Sequence, residues 1–406
     1  MANIGTGVTT IDYDVAVIGG GIHGVGVAQA AAAAGYRTVL LEQKHLAYGT
    51  SRWSSKLIHG GLRYLENFEF GLVRESLKER ELLIKLAPEL VKRQKFYIPV
   101  YESTSRRPWF IGLGLLAYSA LAGGNKHTHF HRIPSSDWND LDGLERNGLE
   151  SVLQYTDAQT DDAKLTQAVM NSAIDLGADF LCPARFERAE RVDGGLQVEY
   201  SHNQQTQSFK TRTLVNAAGP WANELLANVA GGLPNFAVDK VQGTHIELPG
   251  ELRQGCYYME VPKDKRAVFA MPWQGRTLVG TTEFTYDDDP HQVHSRDEAV
   301  DYLLDVYREY FPRRDDTVVD RWAGLRVLPA ATGAAFRRSR ETQMPVDNER
   351  SPTVLSIFGG KLTGYRATAE KVIQKLQPTL PKVAEKARTD QLPLSIEGIQ
   401  EIKRSN

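Results

Sequence analysis

Three cationic or titratable side chains, Lys56, His59 and Arg63, surround the pair Gly60-Gly61 in the stretch SSKLIHGGLRYLE, residues 54–66. Cationic groups are unfavourable in a hydrophobic core. They are favourable in a site where backbone and positive charge lie close to an anion or a cofactor. Guanidinium and ammonium groups suit phosphate, and an imidazole can exchange a proton near neutral pH. The stretch therefore predicts a binding site with acid–base capacity.

A glycine-rich turn lies upstream, in YDVAVIGGGIHGVGVAQAAAAAGYRTVLLEQ. Residues 15–18 predict a strand buried on both faces. The glycines of a GxGxxG pattern follow it directly: Gly19, Gly21 and Gly24. The alanine-rich helix after the turn directs N–H groups at phosphates. A second strand, 38–41, ends at Glu42, whose carboxylate can accept from both hydroxyls of an adenosine ribose and would repel the 2′-phosphate of NADP. The unit predicts a dinucleotide site, with FAD and NAD still as alternatives.

Two later segments predict further approaches to the same cofactor. TLVNAAGPWANEL leads from a strand into Ala217, Ala218 and Gly219, where small residues leave room beside the first turn. VLSIFGGKLTGYRATAEKVI leads from a strand into Gly359-Gly360 and a helix expected near Leu362, a second helix start suited to an anion or a polarised carbonyl. Each turn alone could be an ordinary strand–helix connection. Three of them in one chain favour an extended FAD over NAD.

Size, charge and cysteine usage exclude several classes of protein. With 406 residues the chain predicts two joined domains, and a net charge of −2 supplies no overall field for nucleic acid. The two cysteines, Cys182 and Cys256, are far apart, so no disulfide framework, zinc site or other metal site is predicted. The N-terminus lacks a signal-peptide pattern, and no apolar run reaches the roughly 18 residues of a membrane span. We expect a cytoplasmic protein.

The apolar segment PWFIGLGLLAYSALAGG, residues 108–124, follows Arg106-Arg107 and carries aromatic residues. A buried or lid helix is one interpretation. Peripheral contact with the cytoplasmic face of a membrane is the other, because aromatic and basic groups flank a short apolar stretch.

Periodicity predicts the remaining elements. Helices are expected at 72–86, at 161–177 and, from a capping box of Ser295 and Glu298, up to Phe311. The strands of the middle region predict an antiparallel sheet, at 237–248, 257–261, 267–271 and 277–281.

These motifs together resemble the FAD-dependent glycerol-3-phosphate dehydrogenase family, within the D-amino-acid-oxidase-like flavoprotein superfamily. The motifs that carry the resemblance are IGGGIHG (18–24), TSRWSSKLIHGGLRYLENFEFGLVRESLKERELL (50–83), VNAAGPW (215–221), GTTE (280–283), AGLRVLP (323–329) and FGGKLTGYR (358–366). The resemblance extends from about residue 13 to about residue 378. It implies non-covalent FAD and oxidation of sn-glycerol 3-phosphate to dihydroxyacetone phosphate, with electrons passed to a quinone or another acceptor.

The chain departs from the family at two places. Arg52-Trp53 stand where small residues are usual before SSKL. Typical members continue into a further helical domain after the FGGKLT helix, which we do not expect in this chain, and the oligomeric state stays open. The predicted fold class is α/β, a Rossmann-like FAD-binding domain with an inserted α+β substrate domain on an antiparallel sheet. The FAD-binding domain is predicted at 12–66, 150–223 and 317–380, the substrate domain at 67–149 and 224–316, and a tail at 381–406.

The resemblance assigns Arg326 and Lys361 to catalysis, with Lys361 able to act electrostatically where reduction builds negative charge on the flavin. His245 is our candidate for the base, because an imidazole titrates near working pH. A core or sheet histidine is the alternative for His245, and His59 is the competing base.

Arg63 and Tyr64 are expected to bind the substrate phosphate, and the resemblance implies that Arg340 completes the substrate site. The alternative for Arg63 is a surface ion pair with Glu66 or Glu69. Arg326 lies on an apolar strand and needs a buried anionic partner. Arg340 shares a basic cluster with Arg337 and Arg338, so solvated charge is its alternative.

The residues predicted to contact FAD are Gly19, Gly21, Gly24, Glu42, Thr50, Ser51, Ser54, Ser55, Leu57, His59, Gly60, Phe186, Ala218, Gly219, Gly359, Gly360, Leu362 and Thr363. Small hydroxyl donors suit the pyrophosphate and the flavin edge, and paired glycines let the chain pass against a ring.

A phosphorylated substrate is the leading hypothesis, because one arginine suffices for a carboxylate and this chain offers several cationic groups. The alternatives are an FAD enzyme acting on a small amino or 2-hydroxy acid, a non-catalytic flavoprotein that binds a partner, and an NAD-dependent dehydrogenase.

Overall fold

A computed structural model describes residues 10–123, 129–261, 263–330 and 341–399. The strands, numbered in chain order, are β1 Tyr13–Ile18, β2 Thr38–Leu41, β3 Leu57–Ile58, β4 Val91–Tyr101, β5 His131–Arg132, β6 Leu149–Thr160, β7 Asp179–Leu181, β8 Ala184–Val192, β9 Gly195–His202, β10 Gln205–Asn216, β11 Val238–Leu248, β12 Cys256–Glu260, β13 Ala267–Trp273, β14 Arg276–Gly280, β15 Phe284–Thr285, β16 Asp320–Pro329 and β17 Val354–Ser356. The α-helices are α1 Ile22–Ala33, α2 Phe70–Leu86, α3 Pro108–Leu121, α4 Asp162–Asp175, α5 Ala222–Leu226, α6 Asp297–Tyr310 and α7 Tyr365–Leu376.

The chain forms two compact units. The first unit contains the described residues up to Arg52, those from Asp162 to Val238 and those after residue 340. Its sheet has the order β7-β2-β1-β10-β9-β8, and β17 also pairs with β10. The strands β7, β2, β1, β10 and β17 run parallel, whereas β8 and β9 form an antiparallel extension. This is the Rossmann-like arrangement that the βαβ pattern predicts.

Close helix packing supports the parallel sheet of the first unit. Val15, Ala16 and Val17 of β1 are completely buried, as an apolar strand covered on both faces must be. Helix α1 packs against α4 and α7. A Cβ on Gly26 would lie 2.7 Å from the ring of Tyr365, so the glycine lets α7 approach.

The second unit contains the described residues from Trp53 to Asp161 and from Asp239 onward to residue 330. Its sheet has the order β15-β11-β14-β13-β12-β4-β6-β3, with β16 beside β11 and β5 beside β6. The pairings of β11–β14, β12–β13 and β13–β14 are antiparallel, as the sequence predicts. Both faces are covered: Tyr257 belongs to the core beneath α6, and its neighbour Tyr258 to the core beneath α2 and α3.

Two predicted helix starts are wrong. Helix α6 begins at Asp297 with Arg296 at the N-cap and no side-chain hydrogen bond there, so the predicted capping box of Ser295 and Glu298 does not form. The helix expected near Leu362 begins at Tyr365, because a turn precedes it.

The unit boundaries also differ from the predicted domain boundaries. Residues 53–66 are predicted in the FAD-binding domain, but β3 pairs with β6 of the second unit. The same prediction covers β16, which instead extends the sheet beside β11. Local patterns predicted the strand that carries Arg326, but not β3 and not the long-range partners that assign either strand to a unit.

Helix α3 covers most of the apolar segment after Arg107. Leu115 and Tyr118 face the core, whereas Trp109, Leu113 and Leu116 are 68%, 56% and 59% exposed. In the described part of the chain, no helix has both the length and the apolar character needed to cross a membrane. The helix therefore has an apolar inner face against the core and an apolar outer face that is exposed.

Candidate active site

Steric contacts in the first unit leave no room for side chains at the first glycine turn. A Cβ on Gly24 would lie 1.9 Å from the carbonyl oxygen of Gly19, and a Cβ on Gly19 would lie 2.6 Å from that of Ala217. The amide of Ala217 donates to the carbonyl of Ile18 at 2.9 Å, which fixes the second predicted turn beside the first. The two turns therefore meet, as the sequence predicts.

The start of α1 lies at this junction. The first N–H groups of a helix have no carbonyl partner within the helix and carry partial positive charge. Ser51 accepts from the amide of Ile22 at 2.9 Å, which places a predicted hydroxyl at the helix start. A pyrophosphate is the kind of group that such a helix start binds.

Glu42 lies at the end of β2 with its carboxylate oriented by backbone amides. The amides of Gly20 and Lys44 donate to its two oxygens, each at 2.7 Å. Burial raises the pKa of this carboxyl, and the hydrogen bonds from Lys44 and Gly20 oppose the rise. Each carboxylate oxygen has a second lone pair, so the oriented group can still accept from ribose hydroxyls.

The FGGKLTG turn reaches the same place through His23. A Cβ on Gly360, whose φ is +93°, would lie 2.3 Å from Nε2 of His23. Nδ1 of His23 is buried, and among the described residues it has no hydrogen-bond partner. Burial lowers the pKa of His23 to about 4, so this imidazole is neutral at working pH. Three glycine turns that are far apart in sequence thus meet around the start of α1.

Asn216 is a residue that the sequence analysis did not single out. Its Oδ1 accepts from the amide of Ala218 at 3.1 Å, and its Nδ2 donates to Ser356 at 3.0 Å and to the carbonyl of Ala222 at 2.8 Å. The side chain is fully buried. A lone asparagine ending an apolar strand was the available signal, since a buried amide must find partners.

These features fit FAD. The glycine cradle that a Cβ would fill, the helix start and the oriented carboxylate are complementary to a pyrophosphate and a ribose. The neutral His23 adds no charge beside them. When bound, FAD supplies hydride acceptance, and the protein supplies orientation and charge.

In the second unit, His245 contacts residues of the SSKLIHGGLRYLE and GTTE motifs. Its Nε2 lies 3.0 Å from the hydroxyl of Ser55. Its ring stacks on Trp322 with centroids 5.7 Å apart and an interplanar angle of 18°. On the neighbouring strand, a Cβ on Gly280 would lie 2.2 Å from the imidazole. The side chain is only 2% exposed, which agrees with the alternative of a core histidine as well as with an enclosed base.

Lys56 lies near the same tryptophan. Its ammonium lies 5.4 Å from the ring centroid of Trp273 and 5.8 Å from that of Trp322. Trp53 also packs here, 6.2 Å from Trp322, and a Cβ on Gly324 would lie 2.6 Å from it. The glycine of AGLRVLP thus accommodates the tryptophan that stands where small residues are usual.

Arg326 has the anionic partner that its place on an apolar strand requires. Its Nη1 donates to Glu283 at 2.8 Å, and its Nη2 donates to the carbonyl of Thr282 at 2.8 Å. The side chains are 26% and 11% exposed, respectively. The GTTE and AGLRVLP motifs therefore form one structure, in which the guanidinium has a fixed orientation.

Arg63 and Tyr64 lie in a short 3₁₀ helix, Leu62–Asn67. Glu66, one predicted alternative partner of Arg63, forms a two-point ion pair with Arg106 at 2.5 and 2.8 Å. Burial raises the pKa of Tyr258, and the positive charges of Arg63 and Arg106 oppose the rise, so both guanidiniums act on this phenol.

Several other predicted site residues lie in separate elements of the two units. Arg340 lies outside the described residues. Lys361 is half-buried in the turn before α7, and Thr363 is buried. Phe186 is half-buried on β8, in the antiparallel extension of the first sheet, whereas Leu57 is buried on β3. Ser54 accepts from the amide of Lys56 at 3.1 Å.

Comparison with known proteins identifies the family. The family model for FAD-dependent oxidoreductases matches residues 14–363. D-erythritol 1-phosphate dehydrogenase of Brucella abortus is 36% identical over 383 residues, which cover 91% of this chain and 74% of that protein. Glycerol-3-phosphate dehydrogenase of Pseudomonas aeruginosa is 38% identical over 375 residues, covering 90% and 72%.

A solved structure agrees with these relatives. Glycerol-3-phosphate dehydrogenase from Bacillus halodurans, complexed with FAD, superposes with a TM-score of 0.73 at 28% identity and covers 95% of this chain and 68% of that one. The match includes the sheet that carries the glycine turns and confirms FAD as the cofactor. The chain therefore belongs to the family of FAD-dependent oxidoreductases.

Proposed function

We propose that this protein oxidises sn-glycerol 3-phosphate to dihydroxyacetone phosphate with FAD as the hydride acceptor. The observation that carries the proposal is the guanidinium of Arg326, held by Glu283 and Thr282 in a chain whose relatives include glycerol-3-phosphate dehydrogenases. A fixed guanidinium suits an anionic or polarised substrate oxygen, because its geometry is set before the substrate arrives.

The phosphate is bound by Arg63, Tyr64 and Arg340 in this proposal. The support is chemical for all three, since guanidinium and phenol groups donate to phosphate oxygens. Arg326 then orients the hydroxyl that is oxidised.

Loss of the hydroxyl proton requires a base within hydrogen-bonding reach of the substrate. We assign this role to His245, supported by the oriented Nε2 and its neighbour Ser55. His59 is the competing assignment, since the burial of His245 also suits a structural histidine. Lys361 is assigned to stabilise negative charge on the reduced cofactor, supported by its position directly after Gly360.

D-erythritol 1-phosphate is a second candidate substrate. The Brucella abortus relative with that activity in its name is nearly as similar to this chain as the Pseudomonas aeruginosa relative. Both substrates carry a secondary hydroxyl beside the phosphorylated carbon, so the same cationic residues can serve either. The shared class is a polyol phosphate.

The electron acceptor is proposed to be a quinone or another small oxidant, as the resemblance implies. A membrane surface is the matching location for a quinone, and the exposed outer face of α3 is the candidate contact. The apolar and aromatic side chains of that face are the support.

A substrate panel tests the proposal. Purified flavin-loaded protein is assayed for kcat/KM with an artificial acceptor, using sn-glycerol 3-phosphate, D-erythritol 1-phosphate, glycine, sarcosine and 2-hydroxyglutarate. A polyol phosphate should be preferred by at least about 100-fold, because a site built to hydrogen-bond a phosphate discriminates strongly against substrates that lack one. Preference for an amino acid or for 2-hydroxyglutarate would establish the alternative function.

A further inference from the structure

A buried hydrogen-bond network lies behind the glycine pair of SSKLIHGGLRYLE, entirely within the second unit. The amide of Gly60 donates to the hydroxyl of Tyr118 at 2.8 Å and approaches Oδ1 of Asp157 at 3.3 Å. The Tyr118 hydroxyl in turn donates to Asp157, with its two carboxylate oxygens at 2.8 and 3.0 Å. All three residues are buried.

Arg80 completes the network. Its Nη1 lies 2.5 Å from Oδ1 of Asp157, and its side chain is completely buried. Burial, and next the charge of Asp157, raise the pKa of Tyr118 well above its usual range, so this phenol stays protonated and able to donate. Burying the Arg80–Asp157 ion pair costs desolvation free energy, even though the carboxylate also accepts from a phenol and approaches an amide. Apolar side chains would fill a core without this cost.

The contact with Gly60 is also steric. A Cβ at residue 60 would lie 2.4 Å from the Tyr118 hydroxyl and 2.6 Å from Leu77. Glycine at this position therefore lets the chain lie directly against the network. A close approach of the cofactor is the expectation from the sequence for this glycine, and the structure adds a close protein neighbour.

A second interaction, an ion pair at Glu66, fixes the other end of the same segment. We call this ion pair and the hydrogen bonds of Gly60 the two ties. Arg106, two residues before α3, binds Glu66 through two nitrogens and binds Glu260 at 2.6 Å through a third. Arg63 lies between the two tied positions, Gly60 and Glu66. Both ties come from α3 or from the residues that precede it.

We propose that Tyr118 and Arg106 are positioning residues that hold residues 60–66 in place, so that Arg63 is presented to the substrate phosphate in a fixed orientation. This inference rests on the proposed function for the role of Arg63, but not for the ties themselves. Asp157 and Arg80 act through Tyr118 by fixing its hydroxyl. Helix α3 is thereby an integral support of the phosphate site, and not simply a cover over the core.

The test uses the flavin-loaded protein and two substitutions, Tyr118→Phe and Arg106→Gln. Each has a matched control. Tyr155→Phe removes a hydroxyl from a buried ring that packs edge-to-face on Tyr118 with centroids 6.0 Å apart. Arg107→Gln removes the neighbouring guanidinium, which is exposed and pairs with Glu150 instead.

Amide hydrogen exchange is the first readout. Tyr118→Phe should speed exchange in a peptide covering residues 59–66 by about tenfold, with β4 and β6 unchanged, because a local opening is no longer opposed by the bond to Gly60. A uniform rise along β4 and β6 would assign the network to global stability and overturn the proposal. Equal exchange in Tyr118→Phe and Tyr155→Phe would also overturn it.

The second readout separates binding from chemistry. Both substitutions should raise KM for sn-glycerol 3-phosphate, and the inhibition constant of inorganic phosphate, about five- to tenfold while kcat stays within about twofold, because a displaced Arg63 weakens phosphate binding. Unchanged phosphate inhibition would contradict the role given to Arg63. If the unsubstituted protein fails to oxidise any polyol phosphate, the proposed function fails, whereas the exchange result still decides whether the ties exist.

Discussion

The hydroxyl of Ser55 and Nε2 of His245 lie 3.0 Å apart although 190 residues separate them in the chain. The pair joins SSKLIHGGLRYLE to β11, which lies between β15 and β14 in the sheet of the second unit. A hydroxyl at this distance can fix the imidazole tautomer and its orientation, as a base requires.

Substitution of His245 by glutamine should lower the rate of flavin reduction about 10²- to 10⁴-fold, the range expected for loss of a general base, and should remove the rise of that rate with pH. Stopped-flow reduction at several pH values measures both effects. His294→Gln is the control, because His294 is exposed in the same unit. If His59→Gln gives the loss and His245→Gln retains the pH dependence, the base is His59.

Arg326→Lys should lower kcat/KM about 10²-fold or more, since an ammonium cannot reproduce the fixed fork that contacts Glu283 and Thr282. Glu283→Gln should lower it by a smaller factor, about tenfold, because the guanidinium loses a charged partner but keeps the carbonyl. Arg321→Lys, on the exposed part of the same strand and paired with Asp297, is the control. A near-normal kcat/KM for Arg326→Lys would show that Arg326 has no direct role in the reaction.

Gly24→Ala should abolish FAD binding, because the added Cβ would lie 1.9 Å from a backbone oxygen that cannot move without opening the turn. The ratio of flavin absorbance to protein absorbance after purification measures the loss. Gly71→Ala in α2, where a Cβ meets nothing within 4 Å, should keep a full complement of FAD. Normal flavin content in Gly24→Ala would place the cofactor elsewhere.

His23 predicts a pH dependence of stability in the flavin-free protein, where no cofactor phosphate adds its own charge. The pKa of His23 is lowered to about 4 when folded and is ordinary, about 6.5, when unfolded. Between these values the unfolded state binds more protons, so stability is full above about pH 6.5, falls as pH drops toward 4, and loses up to about 3 kcal/mol in all.

The measurement is the free energy of unfolding of the original protein and of His23→Gln between pH 7 and pH 4. The original protein should lose more stability than the variant over this interval. His131→Gln, which removes an exposed histidine, should follow the original protein. Parallel curves for the original and His23→Gln would show that this imidazole titrates normally.

The outer face of α3 predicts binding to lipid. Trp109→Ser combined with Leu113→Ser should reduce co-flotation with vesicles of anionic lipid at least several-fold, because two exposed apolar side chains no longer enter the interface. Ile174→Ser on α4, also an exposed apolar residue, should have no effect. Equal flotation of all three proteins would exclude this face as the contact.

Local patterns predicted the elements of the first unit well. Strands β1 and β2 agree with the predicted ranges within two residues, because each is an apolar run, and helix α1 follows the glycine turn as predicted. The failed capping box at Ser295 shows the limit, since the pattern S-x-x-E is present but Arg296 occupies the cap. The S-x-x-E pattern shows only that a capping box could form, and the rest of the fold decides whether the helix begins there.

The sequence did not predict which residues far apart in the chain contact each other. Neither the tie of Gly60 to Tyr118 nor that of Arg326 to Glu283 leaves a local periodicity, because both depend on how strands and helices are arranged in the second unit. A buried anionic partner for Arg326 was predicted as a type, and only the structure identifies it.

Anaerobic mixing of the flavin-loaded protein with sn-glycerol 3-phosphate tests the proposed oxidation most directly. We expect rapid bleaching of the visible flavin band and one equivalent of dihydroxyacetone phosphate per flavin, since the hydride leaves the substrate carbon for the cofactor. A flavin that stays oxidised with this substrate and with D-erythritol 1-phosphate, in protein with a full complement of FAD, would contradict it.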